Sequence, residues 1–337
     1  MPNEPSLLDI EHFPVMLDEI IKICSPKRGS TFLDCTFGGG GYSKKILQFS
    51  QTKVIALDRD EYIFKIAKSL EKKYPKRFTF FHKKFSELDS IVQGQKIDVA
   101  IFDLGLSSYQ LKNLKRGFSF KSKESLDMSM GLSTISAEQV INKCSEQKLK
   151  LIIKVLGEER EASKIVKNII KFRSTKKITK VSELVEIIKK SKKKNYFQKI
   201  DPCTKTFQAL RIFVNKEITE LSKGLINATK ILKPGGKILI VSFHSIEDKV
   251  VKFFFNNFSK NRSNPSRYFP DHDRTNTTLF EIYKNVTLKP SKEEVSKNFP
   301  SRSAKLRYAV RNKNKFIYPK DLIHKFRNYL ELESSYV

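Results

Sequence analysis

The sequence predicts an α/β fold in which a parallel, Rossmann-like sheet is interrupted by an inserted helical domain. Three observations support this prediction. A strand-like run ends in a four-glycine turn that opens a helical segment, over residues 31–47, which is the order of a nucleotide-type βα unit. Short apolar runs then alternate with helical segments, as expected for parallel strands joined by crossover helices. Finally, residues 112–221 contain no strand-like run, although another strand follows them.

The predicted strands follow one another in a regular order. Four of them lie in the first third of the chain, over residues 31–37, 53–57, 78–81 and 97–102. A helix is expected over residues 63–74, between the second and third strands. The fifth strand, over residues 237–243, follows a turn of sequence Lys-Pro-Gly-Gly at residues 233–236.

The insertion is predicted to be helical because apolar residues recur there at the spacing of one helical face. Val181, Leu184, Val185 and Ile188 are an example. We therefore expect four parts along the chain: the first part of the sheet domain at 1–111, a basic helical insertion at 112–221, the second part of the sheet domain at 222–311 with a polar flap at 256–300, and a C-terminal tail at 312–337.

The chain is strongly basic. Its 65 Lys and Arg residues outnumber its 36 Asp and Glu residues, which gives a formal net charge of +29. Eleven basic residues and two acidic ones fall within residues 171–199. Clustered basic side chains gain affinity by releasing counterions from phosphates, so a nucleic acid is the expected partner. An anionic membrane surface, a solvated helix face and a generally lysine-rich composition are the alternatives.

The cysteines and histidines indicate neither a zinc site nor a disulfide framework. The four cysteines form no CxxC pair, and the five histidines lie far apart in the sequence. The N-terminus lacks the basic and apolar regions of a signal peptide, and no uncharged apolar run reaches the roughly 18 residues that span a bilayer. We therefore expect a cytoplasmic protein without a bound metal.

The glycine turn and the acid that ends the second strand predict a cofactor that contains a nucleoside. Backbone amides of the glycines at 38–41 can approach a polar ligand, because no Cβ blocks them. The dinucleotide fingerprint is incomplete, since Ser43 or Lys44 stands where its third glycine is needed, and this disfavours NAD. Asp58, about 20 residues after the first glycine, is placed to bind a ribose diol. This combination favours S-adenosylmethionine, and a purely structural turn is the alternative.

Polar residues follow the fourth predicted strand closely, in the segment DLGLSSYQ at residues 103–110. Ligands of open α/β sheets bind at the carboxyl ends of the strands, near the point where the strand order reverses. We therefore expect the cofactor and its acceptor to meet beside Asp103. A helix cap at Asp103 and a turn at Ser107 and Ser108 are the structural alternatives.

Several blocks of this sequence resemble those of one family, the bacterial 16S rRNA cytosine-N4 methyltransferases known as RsmH or MraW. The resemblance runs from end to end of the chain. Its blocks are HFPVMLDE (12–19), DCTFGGGGYS (34–43), DLGLSSYQ (103–110), RGFSF (116–120), LDM (126–128), GEER (157–160), TFQALR (206–211) with Asn215 and Glu217, SFHSIED (242–248) and SRSAKLR (301–307).

The resemblance implies a class I S-adenosylmethionine-dependent methyltransferase sheet with an inserted helical domain. The implied activity is methylation of the exocyclic N4 of one cytidine in the decoding region of 16S rRNA, within the small ribosomal subunit. The implied cofactor is S-adenosylmethionine, and its implied contacts are Gly40, Gly41, Tyr42, Asp58, Phe85, Asp103 and Gln110. Of these, Phe85 offers a ring for stacking on adenine, although it can equally belong to the core.

Two positions depart from the family pattern. Tyr42 stands where the family usually has His, and it keeps a ring with a polar tip. Ser129 stands where the family usually has Arg, and Gly131 follows in place of an acid. If that Arg contacts RNA or orients the loop of Asp127, another residue must do so here. A catalytically weakened rRNA-binding or assembly factor is therefore one alternative, and a methyltransferase of small molecules or proteins is another.

Methyl transfer to N4 requires alignment and a hydrogen-bond acceptor, because a methyl sulfonium is already a strong electrophile. Asp103 and the carbonyl groups of residues 104–106 are the first candidates by position, and Asp127, Ser242 and His244 are outer candidates. His244 can equally be a packing residue at a strand end. Methylation at carbon 5 by a cysteine nucleophile is disfavoured, because the pair Pro-Cys at 202–203 follows no strand.

Arg116 and Arg211 are the expected RNA-binding residues, facing either the RNA or the loops of the active site. A guanidinium grips a phosphate or carboxylate with two parallel bonds, which a lysine cannot reproduce. Phe118 or Phe120 can stack on an unpaired base that is flipped into the site, or can belong to the core.

Overall fold

The structure is a computed structural model that describes residues 14–92, 94–192, 201–259, 278–281, 283 and 285–335. It divides into two compact units. The first comprises Met1–Gly105 and Glu220–Lys325, and the second comprises Leu106–Thr219 and Phe326–Val337. His12, the basic residues at 193, 194 and 199, and the middle of the expected flap lie outside the described residues.

The first unit is built on one sheet of six strands. The strands are β1 Thr31–Asp34, β2 Lys53–Asp58, β3 Phe78–His82, β4 Ile97–Asp103, β5 Leu232–Ser242 and β6 Lys305–Val310. They lie in the order β3-β2-β1-β4-β5-β6. Neighbouring strands are parallel except β6, which runs antiparallel to β5 at one edge. The central strands are apolar and buried, as expected when helices cover both faces of a parallel sheet.

The α-helices are numbered in chain order. They are α1 Leu17–Cys24, α2 Gly41–Leu47, α3 Phe64–Lys73, α4 Leu88–Val92, α5 Ser108–Lys112, α6 Ala137–Lys143, α7 Glu146–Leu156, α8 Ala162–Arg173, α9 Val181–Ser191, α10 Thr204–Asn215, α11 Glu217–Ile231, α12 Ser245–Asn257, α13 Lys292–Lys297, α14 Lys320–Lys325 and α15 Arg327–Ser334. Serine hydroxyls cap several of their N-termini by accepting a backbone N–H of the first turn, at Ser107, Ser136, Ser145 and Ser291.

The predicted α/β fold with a helical insertion is confirmed, and so are the five predicted strands. The turn at 233–236 lies inside β5 and not before it. Ile97 pairs with Leu232 and Val99 pairs with Lys237, so the ladder shifts register between these two pairs. On α9, Val181, Leu184 and Ile188 are buried as the helical spacing predicts.

Sequence patterns missed β6, because charged residues interrupt its apolar pattern. The structure supplies the reason that a charge is tolerated there. Arg307 is buried, and its guanidinium donates to Asp248 Oδ1 at 2.7 Å and to the Tyr283 hydroxyl at 3.0 Å. A buried charge that is paired and hydrogen-bonded is compatible with a strand beside the core.

The expected C-terminal tail, residues 312–337, contains two helices, Lys320–Lys325 and Arg327–Ser334. Helix α14 belongs to the first unit, and α15 belongs to the second unit. Glu333 of α15 is 1% exposed. Its carboxylate accepts the N–H of Ile218 at 2.9 Å and the N–H of Thr219 at 2.7 Å. These donors lie in the first turn of α11, where backbone N–H groups have no helical partner, so Glu333 caps that helix.

Within the described part of the chain, we find no helix with the length and apolar character needed to cross a membrane.

We expect Glu333→Ala to lower the free energy of unfolding by about 1–3 kcal/mol, because it leaves buried N–H donors without an acceptor. Glu331→Ala is the matched control on the same helix. Glu331 pairs with Arg327 on the exposed surface, and such pairs contribute roughly 0–1 kcal/mol. Urea denaturation of both variants measures the difference, and equal effects would contradict the capping role.

Candidate active site

Three carboxyl groups gather at the carboxyl edge of the sheet, at the ends of adjacent strands. Asp34 ends β1, Asp58 ends β2 and Asp103 ends β4. Asp34 is fully buried, and its Oδ2 accepts the hydroxyl of Ser43 at 2.6 Å. The edge predicted from sequence is therefore acidic, and one of its acids already serves to fix the first turn of α2.

Asp103 has the most unusual environment of the three. Its backbone N–H donates to Thr36 Oγ1 at 2.7 Å, which fixes the end of β4 against the loop after β1. Its Oδ2 lies 3.2 Å from the Tyr42 hydroxyl. Its Oδ1 is buried and has no hydrogen-bond partner among the described residues. A buried acceptor without a partner is costly in a native protein, and this points to a group that binds there.

Burial raises the pKa of Asp103 to about 8. The hydrogen bond from Tyr42 lowers this pKa, and nearby negative charges raise it further, namely those of Asp34, Glu247 and Glu294. A carboxyl group with a pKa near neutrality can both hold and release a proton under physiological conditions, which is typical of functional sites.

Tyr42 is buried, and its hydroxyl links two parts of the first unit. It donates to the Val15 carbonyl at 2.5 Å and reaches Asp103 Oδ2. A phenol has one proton, so an ionised Asp103 competes with the Val15 carbonyl for it. Burial raises the pKa of Tyr42 well above its usual value, so the phenol stays neutral. At this position the chain therefore holds a neutral phenol whose single proton is within reach of both the Val15 carbonyl and Asp103 Oδ2.

The glycine turn is shaped by close packing inside the protein. Gly40 has a φ of +73° and a Cβ there would lie 2.8 Å from the Phe37 ring. A Cβ on Gly41 would lie 2.7 Å from Pro14. The N–H of Gly38 donates to Asp58 Oδ2 at 2.8 Å. The turn is thus held directly against the acid that ends β2.

Asp58 is half-buried, and each of its oxygens accepts one backbone N–H. Oδ2 bonds Gly38, and Oδ1 accepts the N–H of Asp60 at 2.9 Å. Burial raises the pKa of Asp58 to about 6, although these two bonds oppose the rise. Each carboxylate oxygen has a second lone pair, so the group can still accept two vicinal hydroxyls. This fits the predicted ribose contact.

Phe85 is half-buried and begins a short 3-10 helix, Phe85–Glu87. Its ring meets the Phe102 ring edge to face, with 5.6 Å between centroids. Part of the ring is anchored in the core and part is accessible. The contact with Phe102 agrees with a core role, and the stacking of Phe85 on adenine stays a prediction.

Gln110 and Asp127 lie in the second unit, where local contacts explain their side chains. Gln110 Oε1 accepts the N–H of Ser107 at 2.9 Å, which completes the cap of α5. Asp127 Oδ2 accepts the hydroxyl of Ser129 at 2.8 Å. Ser129, which stands where the resemblance implies Arg, thus bonds the aspartate two residues before it. The predicted cofactor contact of Gln110 stays a prediction.

Both predicted RNA-binding arginines have partners inside the second unit. Arg116 is 7% exposed and donates to the Ser129 carbonyl at 2.8 Å. Arg211 donates through Nε and Nη2 to the two carboxylate oxygens of Glu217, both at 2.8 Å. A guanidinium already held in two parallel bonds has its fork occupied. The two arginines form hydrogen bonds within their own unit, and the RNA contacts expected of them stay a prediction.

Asn215, which the sequence analysis places in a family block without assigning it a role, is a positioning residue. It is buried at the end of α10, its Nδ2 donates to the Met128 carbonyl at 2.8 Å, and its Oδ1 accepts the N–H of Met130 at 2.8 Å. These two hydrogen bonds hold the backbone of the loop that carries Asp127. The sequence does carry a signal for this role, because a polar asparagine follows the apolar residues of a buried helix and needs hydrogen-bond partners there.

His244 caps helix α12. Its Nδ1 accepts the N–H of Glu247 at 3.4 Å, and its Nε2 lies 3.1 Å from Glu247 Oε1. Ser242 is buried, with its hydroxyl 3.4 Å from the Lys305 carbonyl. Local structure therefore accounts for Ser242 and for Nδ1 of His244. Asp103 Oδ1 and His244 Nε2 are both buried without a hydrogen-bond partner among the described residues, but His244 Nε2 has the Glu247 carboxylate 3.1 Å away.

The remaining sequence candidates lie in the second unit and are mostly internal. Phe118 is buried under the Arg116 guanidinium, and Phe120 meets Phe207 edge to face. Cys203 is fully buried, and burial raises its pKa to about 12. Such a thiol stays protonated at neutral pH, so it is a poor nucleophile.

The basic cluster of residues 171–192 contains both structural and exposed side chains. Arg173 donates to the carbonyls of Ile141 and Cys144 at the end of α6, at 2.5 and 2.7 Å. Lys192 is buried against Glu159. The exposed members are Lys171, Lys176, Lys177, Lys180, Lys189 and Lys190. The surface charge of this segment is therefore carried by lysines.

Comparison with known proteins gives a consistent result. A model of the MraW methylase family matches residues 9–312. The chain is 42% identical over 301 residues to proteins named ribosomal RNA small subunit methyltransferase H from Rickettsia africae (strain ESF-5) and Rickettsia conorii (strain ATCC VR-613 / Malish 7), covering 88% of this chain and 97% of each relative. An rRNA methylase structure from Streptococcus thermophilus is similar at 11% identity with a TM-score of 0.39, covering 93% of this chain and 99% of that one.

We expect Tyr42→Phe to raise the pKa of Asp103 above about 8, because the hydrogen bond from the phenol lowers that pKa in the wild-type protein. The carboxyl carbon of Asp103, followed by NMR in protein labelled at aspartate and assigned with Asp103→Asn, measures the midpoint. Tyr62→Phe, at an exposed tyrosine of the same unit, is the control. A midpoint that stays unchanged or falls in Tyr42→Phe would show that the phenol does not bond the carboxylate.

Proposed function

The chain belongs to the MraW methylase family, and from this premise we propose that it is an S-adenosylmethionine-dependent methyltransferase of small-subunit rRNA. The observation that carries the proposal is the buried Oδ1 of Asp103, which has no hydrogen-bond partner in the described part of the chain and lies at the sheet edge where such a fold binds its ligands. The relatives bear the name of a small-subunit rRNA methyltransferase, and we assign the same substrate to this chain.

The residues at the sheet edge fit S-adenosylmethionine. Asp58 would accept the ribose hydroxyls, the turn at 38–41 would lie beside the ligand, and Phe85 would offer its accessible part to the adenine. When bound, the cofactor supplies a methyl group activated by a positive sulfonium. The carboxylates of Asp34 and Asp58, whose pKa values are about 6, are mostly ionised at neutral pH and favour a cationic ligand by electrostatic attraction.

We assign the acceptor role in the reaction to Asp103. The N4 lone pair of cytosine is delocalised into the ring, and it becomes available as the amine loses planarity. An N4–H group that donates to Oδ1 of ionised Asp103 favours this change. When the N4–methyl bond forms and the methyl–sulfur bond breaks, the electron pair of the broken bond would stay on sulfur. The N4 proton would pass to the Asp103 carboxylate, so the methylated base would be neutral. The raised pKa of Asp103 makes the carboxylate a stronger base than an exposed aspartate.

We propose that the methylated atom is N4 of a single cytidine in 16S rRNA, the family target cytidine 1402. We also propose that this RNA is methylated within the small ribosomal subunit. Exposed lysines of residues 171–190 supply the electrostatic attraction to phosphates, so binding should weaken with salt. A cytoplasmic location follows from this substrate, because bacterial ribosomes are assembled there.

Asp103→Asn should reduce the rate of methyl transfer by about 100-fold or more, because a neutral amide cannot take the N4 proton. The assay is transfer of labelled methyl from S-adenosylmethionine to small subunits from cells lacking this protein, with nucleoside mass spectrometry of the product. Asp127→Asn is the matched comparison, and a larger loss there would reassign the acceptor. Wild-type protein that binds the subunit without methylating it would favour the weakened assembly factor.

The maximal rate of the wild-type enzyme should rise with pH and level off above about 8, the pKa of Asp103 in the folded protein. The rate should rise with pH because Asp103 must be ionised to accept the proton, and it is mostly protonated below that pKa. Single-turnover rates between pH 6 and 9.5 measure the profile. Tyr42→Phe should move the midpoint upward, and a profile that falls with pH would contradict a base at this position.

A further inference from the structure

One face of α11 holds the segment that carries Phe85. Glu220, Gly224 and Asn227 recur at spacings of four and three residues, which places them on the same face of the helix. Like Phe85, they belong to the first unit. The contact is long-range in sequence, because 134 residues separate Ser86 from Glu220.

Three hydrogen bonds fix the backbone next to Phe85. The N–H and the hydroxyl of Ser86 donate to the Glu220 carboxylate at 3.2 and 3.1 Å. Asn227 Nδ2 donates to the Ser86 carbonyl at 3.1 Å. Glu220 is only 7% exposed, and hydrogen bonds to a shielded carboxylate are among the stronger ones in proteins. Ser86 therefore has both its N–H and its carbonyl bound to α11.

Gly224 provides the space for the Phe85 ring. A Cβ at this position would lie 2.8 Å from Phe85 Cδ2, 3.2 Å from Phe85 Cβ and 3.1 Å from Phe102 Cε1. The ring cannot avoid this Cβ by rotating alone, because its own Cβ is among the close atoms. Glycine destabilises a helix interior relative to alanine, so a glycine here is explained by the ring that occupies the space.

We propose that Glu220, Gly224 and Asn227 are positioning residues that set the Phe85 ring as the platform for the adenine of S-adenosylmethionine. The proposal rests on the proposed function, in which Phe85 contacts this cofactor. The three residues act through Phe85 and not on the reacting atoms. Changes at these positions should therefore weaken the affinity for the adenosyl group and leave the methyl-transfer step nearly unaffected.

Calorimetric titration of the full-length protein with S-adenosylmethionine, without RNA, tests the proposal. Gly224→Ala should raise the Kd about tenfold and Glu220→Gln about threefold or more. The KM for the cofactor should rise in parallel, while kcat at saturating cofactor stays within about twofold of wild type. Lys223→Ala, at an exposed position of the same helix, is the matched control and should leave the Kd unchanged.

A double-mutant cycle separates positioning from general damage to the fold. In a Phe85→Ala background, Gly224→Ala should have no further effect on the Kd, because the ring that it displaces is missing. Effects that simply add would show a structural role and overturn the proposal. If thermal melting shows that Gly224→Ala does not fold, the same cycle with Glu220→Gln and Phe85→Ala decides the question.

The outcomes distinguish this proposal from the proposed function. Unchanged Kd values in Gly224→Ala and Glu220→Gln, or in Phe85→Ala, would overturn the positioning role and leave the methyltransferase proposal intact. Wild-type protein that binds S-adenosylmethionine but leaves 16S rRNA unmethylated would contradict the proposed substrate alone. Wild-type protein that binds no S-adenosylmethionine would contradict both.

Discussion

Burial of a single carboxyl group at the end of β4 is the constraint on which the candidate active site depends. β4 lies between β1 and β5, so its last residue, Asp103, emerges at the centre of the sheet edge and not at its periphery. There the loss of water raises the pKa of the carboxyl to about 8. One oxygen meets Tyr42, and the other is left as an open acceptor. Burial at this position, together with the neighbouring charges, gives the carboxyl group the pKa near neutrality that its proposed role as proton acceptor requires.

Segments far apart in the sequence enclose this carboxyl group within the first unit. The Tyr42 hydroxyl bonds the Val15 carbonyl, and Glu294 of α13 accepts the N–H of Met16 at 2.9 Å, a contact between residues 278 positions apart. The negative charge of Glu294 also contributes to the raised pKa of Asp103. Tyr42, which stands where the resemblance implies His, is therefore compatible with the site, because its hydroxyl lies within hydrogen-bond distance of the Asp103 carboxylate.

The arginines of the motifs have partners within their own units, and the RNA contacts expected of Arg116 and Arg211 stay a prediction. A scarce arginine within a motif suggests a contact with phosphate, yet Arg211 holds Glu217 and Arg307 holds Asp248. Arg116 is buried against a backbone carbonyl. These guanidinium groups stabilise loops and strands inside their own units. The charge available to a polyanion in the helical unit comes from exposed lysines, whose individual contacts need not be specific.

The sequence by itself determined the strands β1–β5, the helical insertion, the acids at the strand ends and the family, because these depend on local periodicity and on motifs. Only the tertiary structure decided which groups are buried and what they meet. It paired Arg211 with Glu217, placed the charged strand β6 at the sheet edge and left Oδ1 of Asp103 open. It also brought Glu220 and Gly224 against the segment of Phe85. Solvation and long-range contacts set these properties, and neither has a signature in the neighbouring residues of the chain.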